Sequence, residues 1–176
     1  MSDGQFVAPT IEELQPHFTQ YAIEAFVAVG GMGAVYRAKQ ISVDRTVALK
    51  VLPPELAEDQ EFRSRFAMEA RAMAKLSHRN LVQLYDFGQD GEVVWMTQEW
   101  VDGRTVYQML EEEGAMDPKE AAAVVAQACE GLGYAHKQGI VHRDVKPGNM
   151  MEGDEGLLKL MDFGLARETR EGPESR

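Results

Sequence analysis

Apolar and polar residues alternate through much of the first half of the chain. Alternation of this kind predicts β-strands, because successive side chains of a strand point to opposite faces of its sheet. The pattern predicts five strands: residues 21–29, 34–40, 45–52, 80–88 and 92–100. The glycine-rich run GGMG separates the first two strands, and a turn at residues 89–91 joins the last two.

One long helix is predicted among these strands. Over residues 59–76 apolar residues recur at helical spacing, and good helix formers fill the gaps between them. The apolar positions are Phe62, Phe66, Met73 and Leu76. A single helical turn is also expected at Ile11–Leu14, in the proline-containing lead-in of residues 1–20.

The second half of the chain is mostly helical. Residues 105–113 and 118–139 predict two helices, and the second has a plausible N-capping residue, Asp117, and a terminal glycine, Gly139. Strands with one helix followed by several helices are typical of an α+β protein. We therefore expect two lobes with a boundary near residues 99–103.

Composition narrows the class of protein. With 176 residues, 44% of them hydrophobic, the chain can form one domain core or two small lobes that share one. A net charge of −11 argues against a nucleic-acid partner or an anionic membrane surface, although it allows a local cationic pocket for a phosphate. Cys129 is the only cysteine, which excludes an internal disulfide and fits a reducing compartment. With no signal-peptide pattern and no apolar run long enough to span a bilayer, these features predict a cytoplasmic domain.

Two features of the strand region could bind a ligand. The GGMG run could surround phosphate oxygens with its backbone N–H groups, or it could be an ordinary turn. Lys50 ends the run VALK on the same strand face as Ala48. A lysine there either reaches solvent or, if both faces are covered, needs an anionic partner, for which Glu69 in the long helix is the candidate.

Clustered polar residues mark two later segments. In IVHRDVKPGNM, residues 140–150, Asp144 could accept a proton from a hydroxyl, Lys146 could neutralise a phosphate and Asn149 could give magnesium a neutral oxygen. The same run could also be a charged surface loop. Asp162 ends an apolar stretch next to a glycine, where an aspartate is either a metal ligand or a turn former.

Considered jointly, these elements form a known series. In chain order they are GGMGAVY, VALK, Glu69 in the following helix, HRDVKPGN and DFG. Their order and spacing, over about residues 21–168, resemble the eukaryotic-like (bacterial Hanks-type) serine/threonine protein kinases. Lys146, two positions after Asp144, is a residue at which the sequence resembles serine/threonine kinases and differs from tyrosine kinases.

The resemblance implies an α+β, protein-kinase-like fold. It implies a small lobe of antiparallel β-sheet with one helix, residues 21–98, and a hinge at residues 99–103. Residues 104–176 would form a mostly helical large lobe that ends in the activation segment. Since the sequence stops shortly after DFG, we expect that lobe to be incomplete, with the apolar side of the helix at 118–138 and the back of the catalytic loop uncovered.

The resemblance also implies catalytic roles. Asp144 would accept or orient the proton of the substrate hydroxyl, and Lys146 would lie near the γ-phosphate of ATP. Lys50 would hold the α- and β-phosphates and pair with Glu69. Two residues would hold Mg²⁺: Asn149 and Asp162.

The nucleotide site is implied by a larger set of residues. The glycine-rich lid, the adenine sandwich, the hinge and the phosphate ligands together comprise Ala28, Val29, Gly30, Gly31, Gly33, Val35, Ala48, Lys50, Gln98, Glu99, Val101, Met151 and Asp162. Ala28 replaces the first glycine of the family's G-x-G-x-x-G lid, which we expect to stiffen the lid without abolishing ATP binding. Met73, Leu84, His142 and Phe163 align with the family's stacked apolar spine.

These implications lead to one main functional hypothesis. The chain is expected to be part of an ATP-dependent, Mg²⁺-requiring kinase that phosphorylates Ser or Thr in proteins, within a longer parent that could be membrane-anchored. The alternative is a nucleotide-binding but catalytically silent module that acts in binding or scaffolding. A structural protein with an accidental set of motifs, or a small-molecule kinase of related fold, agrees less well with the HRDVKPGN run.

Overall fold

Strands and helices follow one another largely as the sequence predicts. The structure, a computed structural model, describes residues 6–30 and 33–163. The chain divides into a first unit, Met1–Ala70 with Leu84–Trp100, and a second unit, Arg71–Gln83 with Val101–Arg176. The lobe and hinge boundaries inferred from the sequence stay a prediction.

The first unit contains a five-stranded antiparallel sheet. Its strands are β1 (Tyr21–Gly30), β2 (Gly33–Gln40), β3 (Arg45–Val51), β4 (Leu84–Asp90) and β5 (Val93–Glu99). They lie in the order β1-β2-β3-β5-β4. All five predicted strands are confirmed, but β4 begins four residues later than expected. The reason is that residues 80–83 belong to the second unit and pair there: Val82 donates its backbone N–H to the Leu160 oxygen.

The helices before β4 differ slightly from the prediction. The long helix, α3, spans Gln60–Met73, and the Asp59 carboxylate accepts the N–H groups of Glu61 and Phe62 at its start. A short helix, α2 (Pro54–Glu58), precedes it and was not predicted, because Pro53 and Pro54 indicate the end of a strand. Pro54 stands at the first helical position, where its missing N–H costs nothing.

The lead-in forms part of the core of the first unit. The predicted helical turn is α1 (Ile11–Leu14), which a Thr10–Glu13 capping box begins. Leu14 and Phe18 are buried, and the ring of Phe18 lies edge-on to Trp95 at 5.5 Å. This segment covers the sheet face that carries Tyr36, whose hydroxyl donates 2.6 Å to the backbone oxygen of Pro9.

The second unit combines two helices with a small sheet. Its helices are α4 (Val106–Glu113) and α5 (Pro118–Lys137), and its strands are β6 (Arg104–Thr105), β7 (Met150–Glu152) and β8 (Leu158–Leu160). As predicted, Asp117 caps α5 by accepting the N–H of Lys119, and Gly139 follows the helix with a left-handed φ of 77°.

Some apolar side chains of the second unit face solvent. Val125 on α5 is 57% exposed, and Val141 and Val145 in the following loop are 58% and 48% exposed. On the same helix Val124, Ala128, Gly131 and Ala135 are buried, and the expectation of an uncovered apolar side stays a prediction. None of the helices in the described residues is long and apolar enough to cross a membrane.

Candidate active site

The loop after α5 has a constrained backbone. Arg143 has a φ of 64°, and Asp162, which follows β8, has a φ of 57°. Residues other than glycine rarely adopt this left-handed region, and a fold that maintains it often does so at a functional site. Arg143 directly precedes the candidate catalytic residue Asp144, and Asp162 is itself a candidate metal ligand.

His142 joins these two segments. It is 1% exposed, its Nε2 lies 2.9 Å from the Met161 carbonyl, and its Nδ1 lies 3.3 Å from the backbone nitrogen of Asp144. Since the Asp144 N–H can only donate, Nδ1 accepts, and Nε2 must carry the proton that is donated to Met161. Burial lowers the pKa of His142, which favours this neutral form. The imidazole also contacts the Phe163 ring, 4.4 Å between centroids.

Asp144 is held by two residues from its own loop. Its Oδ2 accepts a hydrogen bond of 2.8 Å from Lys146 Nζ and one of 3.0 Å from Asn149 Nδ2. Asn149 Nδ2 also donates 2.8 Å to the backbone oxygen of Asp144. Charge-assisted hydrogen bonds of this kind fix the direction of the carboxylate. The Lys146 side chain remains 56% exposed, so its ammonium can reach a further anion.

A hairpin brings the two candidate metal ligands to one end of the small sheet. Met150 in β7 pairs with Leu160 in β8, and the N–H of Met161 donates 3.0 Å to the oxygen of Asn149. Asp162 is therefore one residue beyond the partner of Asn149. Because Asn149 donates through its amide nitrogen, its amide oxygen is the atom that would ligate a cation.

The donor set suits Mg²⁺. Among residues 6–30 and 33–163, no three His, Cys, Asp or Glu side chains cluster so as to hold a metal ion by themselves. Mg²⁺ does not need such a cage, since it usually takes one or two protein oxygens and completes its shell with water and substrate phosphates. An amide oxygen from Asn149 and a carboxylate from Asp162 are ligands of that type.

In the first unit, strand register places a second group of candidate residues on one face. Val35 is opposite Lys50, and Ala48 is opposite Gln98, in antiparallel pairs whose side chains point the same way. Lys50 and Gln98 are 6% and 8% exposed. Gln98 Nε2 contacts the sulfur of Met96, two residues earlier on this face, at 2.9 Å. The face is apolar around a buried cation and a buried amide.

The first and last residues of the glycine-rich run, Gly30 and Gly33, lie opposite each other at the end of β1 and the start of β2. Gly30 pairs with Gly33, Val29 with Ala34 and Ala28 with Val35. Gly33 has a φ of 116°, and a Cβ there would lie 2.0 Å from the Val51 carbonyl oxygen, so this position requires glycine. Ala28 lies within β1 and has no positive φ, so alanine fits there. Gly31 lies outside the described residues, as does the glycine of DFG.

The other candidate residues lie near the ends of the same elements. Glu69 is half-buried on α3, and Glu99 ends β5. Met151 pairs with Lys159 and Thr105 in the small sheet, and Val101 is the first residue of the second unit's C-terminal segment. The structure thus gathers the predicted nucleotide residues of β1–β3 and β5 in one unit, and Asp144, Lys146, Asn149, Met151 and Asp162 in the other.

Residues 21–176 match the protein kinase domain family. The chain belongs to this family. Its sequence is 44% identical to the serine/threonine-protein kinase PknL of Mycobacterium tuberculosis over 149 residues, which cover 85% of this chain and 37% of that protein. It is 40% identical to the serine/threonine-protein kinase PknB of Mycobacterium leprae over 157 residues, 86% of this chain and 25% of the relative. The chain thus spans less than half the length of these relatives.

Solved kinase structures share the fold of this kinase domain. The crystal structure of the Mycobacterium tuberculosis PknI kinase domain matches 85% of this chain and 60% of its own, with a TM-score of 0.76 and 32% identity. The crystal structure of Rad53 in complex with AMP-PNP matches 86% of this chain and 40% of its own, with a TM-score of 0.75 and 27% identity. The protein-kinase-like α+β fold expected from the sequence is confirmed.

Sequence reasoning missed two polar residues of this kinase domain: Asn80, which is buried, and Gln127, which is partly buried. Asn80 and Gln127 hold the outer edge of β8: Asn80 Nδ2 donates to the Leu158 oxygen, and Gln127 Oε1 accepts the Leu158 N–H. Asn80 Nδ2 also donates to Gln127 Oε1, at 3.0 Å. The only sequence signal is a polar residue on the apolar side of α5, between Val124 and Gly131. Through β8, this network supports the segment that carries Asp162.

Proposed function

We propose that this chain is the ATP-binding and phosphoryl-transfer part of a serine/threonine protein kinase, which moves the γ-phosphate of ATP to Ser or Thr hydroxyls of proteins. The observation that carries the proposal is that Lys146 and Asn149 both bind one carboxylate oxygen, Oδ2, of Asp144. The names of the relatives support the same activity and substrate class.

Phosphoryl transfer depends on positioning and on charge neutralisation more than on covalent chemistry. Asp144 is fixed by its neighbours and would accept or orient the proton of the attacking hydroxyl. Lys146 holds the same carboxylate with a side chain that is still largely exposed, so its ammonium would also stabilise charge on the transferred phosphate.

The nucleotide would use the face of the first unit and its glycine turn. Val35 and Ala48 offer apolar contact to the adenine ring, together with Met151, while Gln98 lies at its back. Backbone groups of the hinge, from Glu99 to Val101, would bond the adenine edge. Lys50, with Glu69 as its partner, would hold the α- and β-phosphates under the lid of Ala28–Gly33. The AMP-PNP complex of Rad53, a structure of the same fold, supports nucleotide binding of this type.

Magnesium would be held by Asn149 and Asp162. When bound there, Mg²⁺ would supply positive charge that offsets the negative charge developing on the transferred phosphate. Two contacts support this assignment: the Met161 N–H donates to the Asn149 oxygen, and His142 donates to the Met161 carbonyl. In this proposal residues 21–98 are the small lobe, 99–103 the hinge and 104–176 part of the large lobe, acting in the cytoplasm where ATP is present.

Two measurements on this chain test the proposal. Mg-ATP affinity is measured by calorimetry, and transfer is measured with radiolabelled ATP and a mixture of Ser- and Thr-containing peptides. We expect binding and transfer, and we expect Asp144→Asn to bind Mg-ATP normally while losing transfer by at least about a thousandfold. The matched control is Asp154→Asn, an exposed carboxylate on the turn of the β7–β8 hairpin, which should behave as wild type.

The outcomes separate the two functional hypotheses. Binding without transfer in the wild type would favour the catalytically silent module. Unchanged transfer in Asp144→Asn would refute the role of this carboxylate. Absence of Mg-ATP binding in a folded wild-type chain would refute both hypotheses.

A further inference from the structure

A second charged residue, besides Lys50, lies on the face of the candidate nucleotide residues. Arg37 on β2 is opposite Ala48 on β3, which in turn is opposite Gln98 on β5. Directly opposed residues of antiparallel strands point to the same side of the sheet. Arg37 therefore extends the row of Ala48 and Gln98 toward β1.

The guanidinium of Arg37 contacts two other segments of the first unit. Its Nε lies 3.3 Å from Glu24 Oε2 on β1, and its Cζ lies 5.6 Å from the centre of the Trp100 ring. The second distance is within the range of a cation–π interaction. Trp100 directly follows Glu99, the last residue of β5, and is the last residue of the first unit.

The simplest alternative is an ordinary surface ion pair. Both Arg37 and Glu24 have side chains that are more than a third exposed, and such pairs contribute little to stability. The indole changes this interpretation. An arginine that contacts both a carboxylate and an aromatic ring has fewer accessible rotamers than one in an isolated ion pair, and it also restricts the ring.

We propose that Arg37 is a positioning residue for nucleotide binding. By holding the Trp100 indole against the sheet, it fixes the backbone at Glu99 and Trp100, where the hinge would bond adenine. This inference rests on the proposed function, because it assigns a role to the hinge of that same site. Glu24 orients the guanidinium and thereby links β1, which leads into the glycine turn, to the hinge.

Mg-ATP affinity and a double-mutant cycle test the proposal in this chain. Arg37→Ala and Trp100→Ala should each weaken Mg-ATP binding by about two- to fivefold. The double variant should bind no more weakly than the single ones, because each single change already removes the pair. Arg37→Lys keeps a cation and Trp100→Phe keeps an aromatic ring, so each should bind Mg-ATP more tightly than the corresponding alanine variant. In peptide phosphorylation, Arg37→Ala should raise the KM for ATP and leave kcat unchanged.

A matched control and distinct outcomes keep the test decisive. Arg65→Ala removes a similar surface arginine, paired with Glu61 at 3.7 Å on α3, and should bind Mg-ATP as wild type does. If the wild type binds Mg-ATP and Arg37→Ala binds equally well, or if the two single effects add in the double variant, the inference about Arg37 is wrong and the proposed function stands. If a folded wild type does not bind Mg-ATP, the proposed function fails and the inference fails with it.

Discussion

The side-chain amide of Asn149 binds Asp144 twice, with 2.8 Å to the backbone oxygen and 3.0 Å to the carboxylate Oδ2. These bonds engage the amide nitrogen and leave the amide oxygen on the other side of the group. One residue thus orients the candidate catalytic carboxylate and presents an oxygen of the kind that Mg²⁺ prefers. Its side chain is buried, which gives it a single well-defined position.

Asn149→Ala should therefore impair both functions. We expect peptide phosphorylation to slow by about 10- to 100-fold or more, since Asp144 loses two hydrogen bonds and the metal loses a ligand. The Mg²⁺ concentration needed for half-maximal rate should rise. Initial rates measured across a Mg²⁺ titration check both effects, with Asp154→Ala, on the exposed turn of the same hairpin, as control. If the Mg²⁺ dependence of Asn149→Ala is unchanged, Asn149 is not a metal ligand and only orients Asp144.

Burial of His142 predicts a pH dependence of stability. Burial lowers its pKa from the ordinary value of 6.5, so the unfolded chain takes up a proton at higher pH than the folded chain does. The stability that the protein gains by keeping His142 neutral is complete above pH 6.5, the ordinary pKa of histidine. It is lost as the pH falls below that value and through the lowered pKa of the folded state. The free energy of unfolding, from urea titrations at about pH 7.5 and about pH 5.5, should therefore be smaller at the lower pH.

Two histidine variants isolate this contribution. His142→Gln cannot titrate in this range and can still donate to the Met161 carbonyl, so its stability should depend less on pH. His136→Gln removes an exposed histidine from α5 and should keep the pH dependence of the wild type. Identical pH dependence in the wild type and in His142→Gln would contradict the assignment.

The anchor of β8 predicts a loss of stability. Gln127 accepts the Leu158 N–H and an Asn80 N–H, and it donates 2.9 Å to the Gly156 oxygen. Gln127→Ala leaves these groups without that partner, and we expect a loss of about 1–3 kcal/mol in the free energy of unfolding. Gln127→Glu can still accept both N–H groups and should lose less.

The measurement for Gln127 is chemical denaturation followed by circular dichroism. Glu130→Ala, an exposed change on the same helix, is the control and should lie within about 0.5 kcal/mol of the wild type. Equal stability of Gln127→Ala and Glu130→Ala would show that water replaces the side chain without cost.

Much of this fold could be predicted because its signals are local. Alternation along the strands, the Asp117 cap of α5 and the terminal Gly139 depend on residues close in sequence, and the structure confirms each of them. The start of β4 was predicted four residues too early. Residues 80–83 have strand-like composition, but their partners are Leu158, Leu160 and Gln127, which lie far away in the sequence.

The same distinction between local and distant signals applies to the candidate site. The motif residues could be located from the sequence. In the structure Asn149 is hydrogen-bonded to Met161, the residue before Asp162, and Lys146 contacts Asp144. The catalytic roles of these residues stay predictions. Asn80 could not be assigned a role, because nothing local distinguishes a buried asparagine from a solvated one. Burial of Leu14 and Phe18 in the lead-in likewise depends on a sheet face formed by later strands.

Gly30 and Gly33 pair with each other across β1 and β2, but alanine should destabilise the protein only at position 33. A Cβ on Gly30 meets no atom within 4 Å, whereas one on Gly33 would meet the Val51 carbonyl oxygen at 2.0 Å, with a φ of 116°. Since that obstacle is backbone, Gly33→Ala must distort β2 or β3, at a cost of about 1–3 kcal/mol in the free energy of unfolding. Gly30→Ala should stay within about 0.5 kcal/mol of wild type. Urea denaturation compares the two directly, and Mg-ATP affinity should fall more in Gly33→Ala because β3 carries Lys50. Equal stability of both variants would show that the turn relaxes without strain and that glycine at position 33 serves only the approach of a ligand.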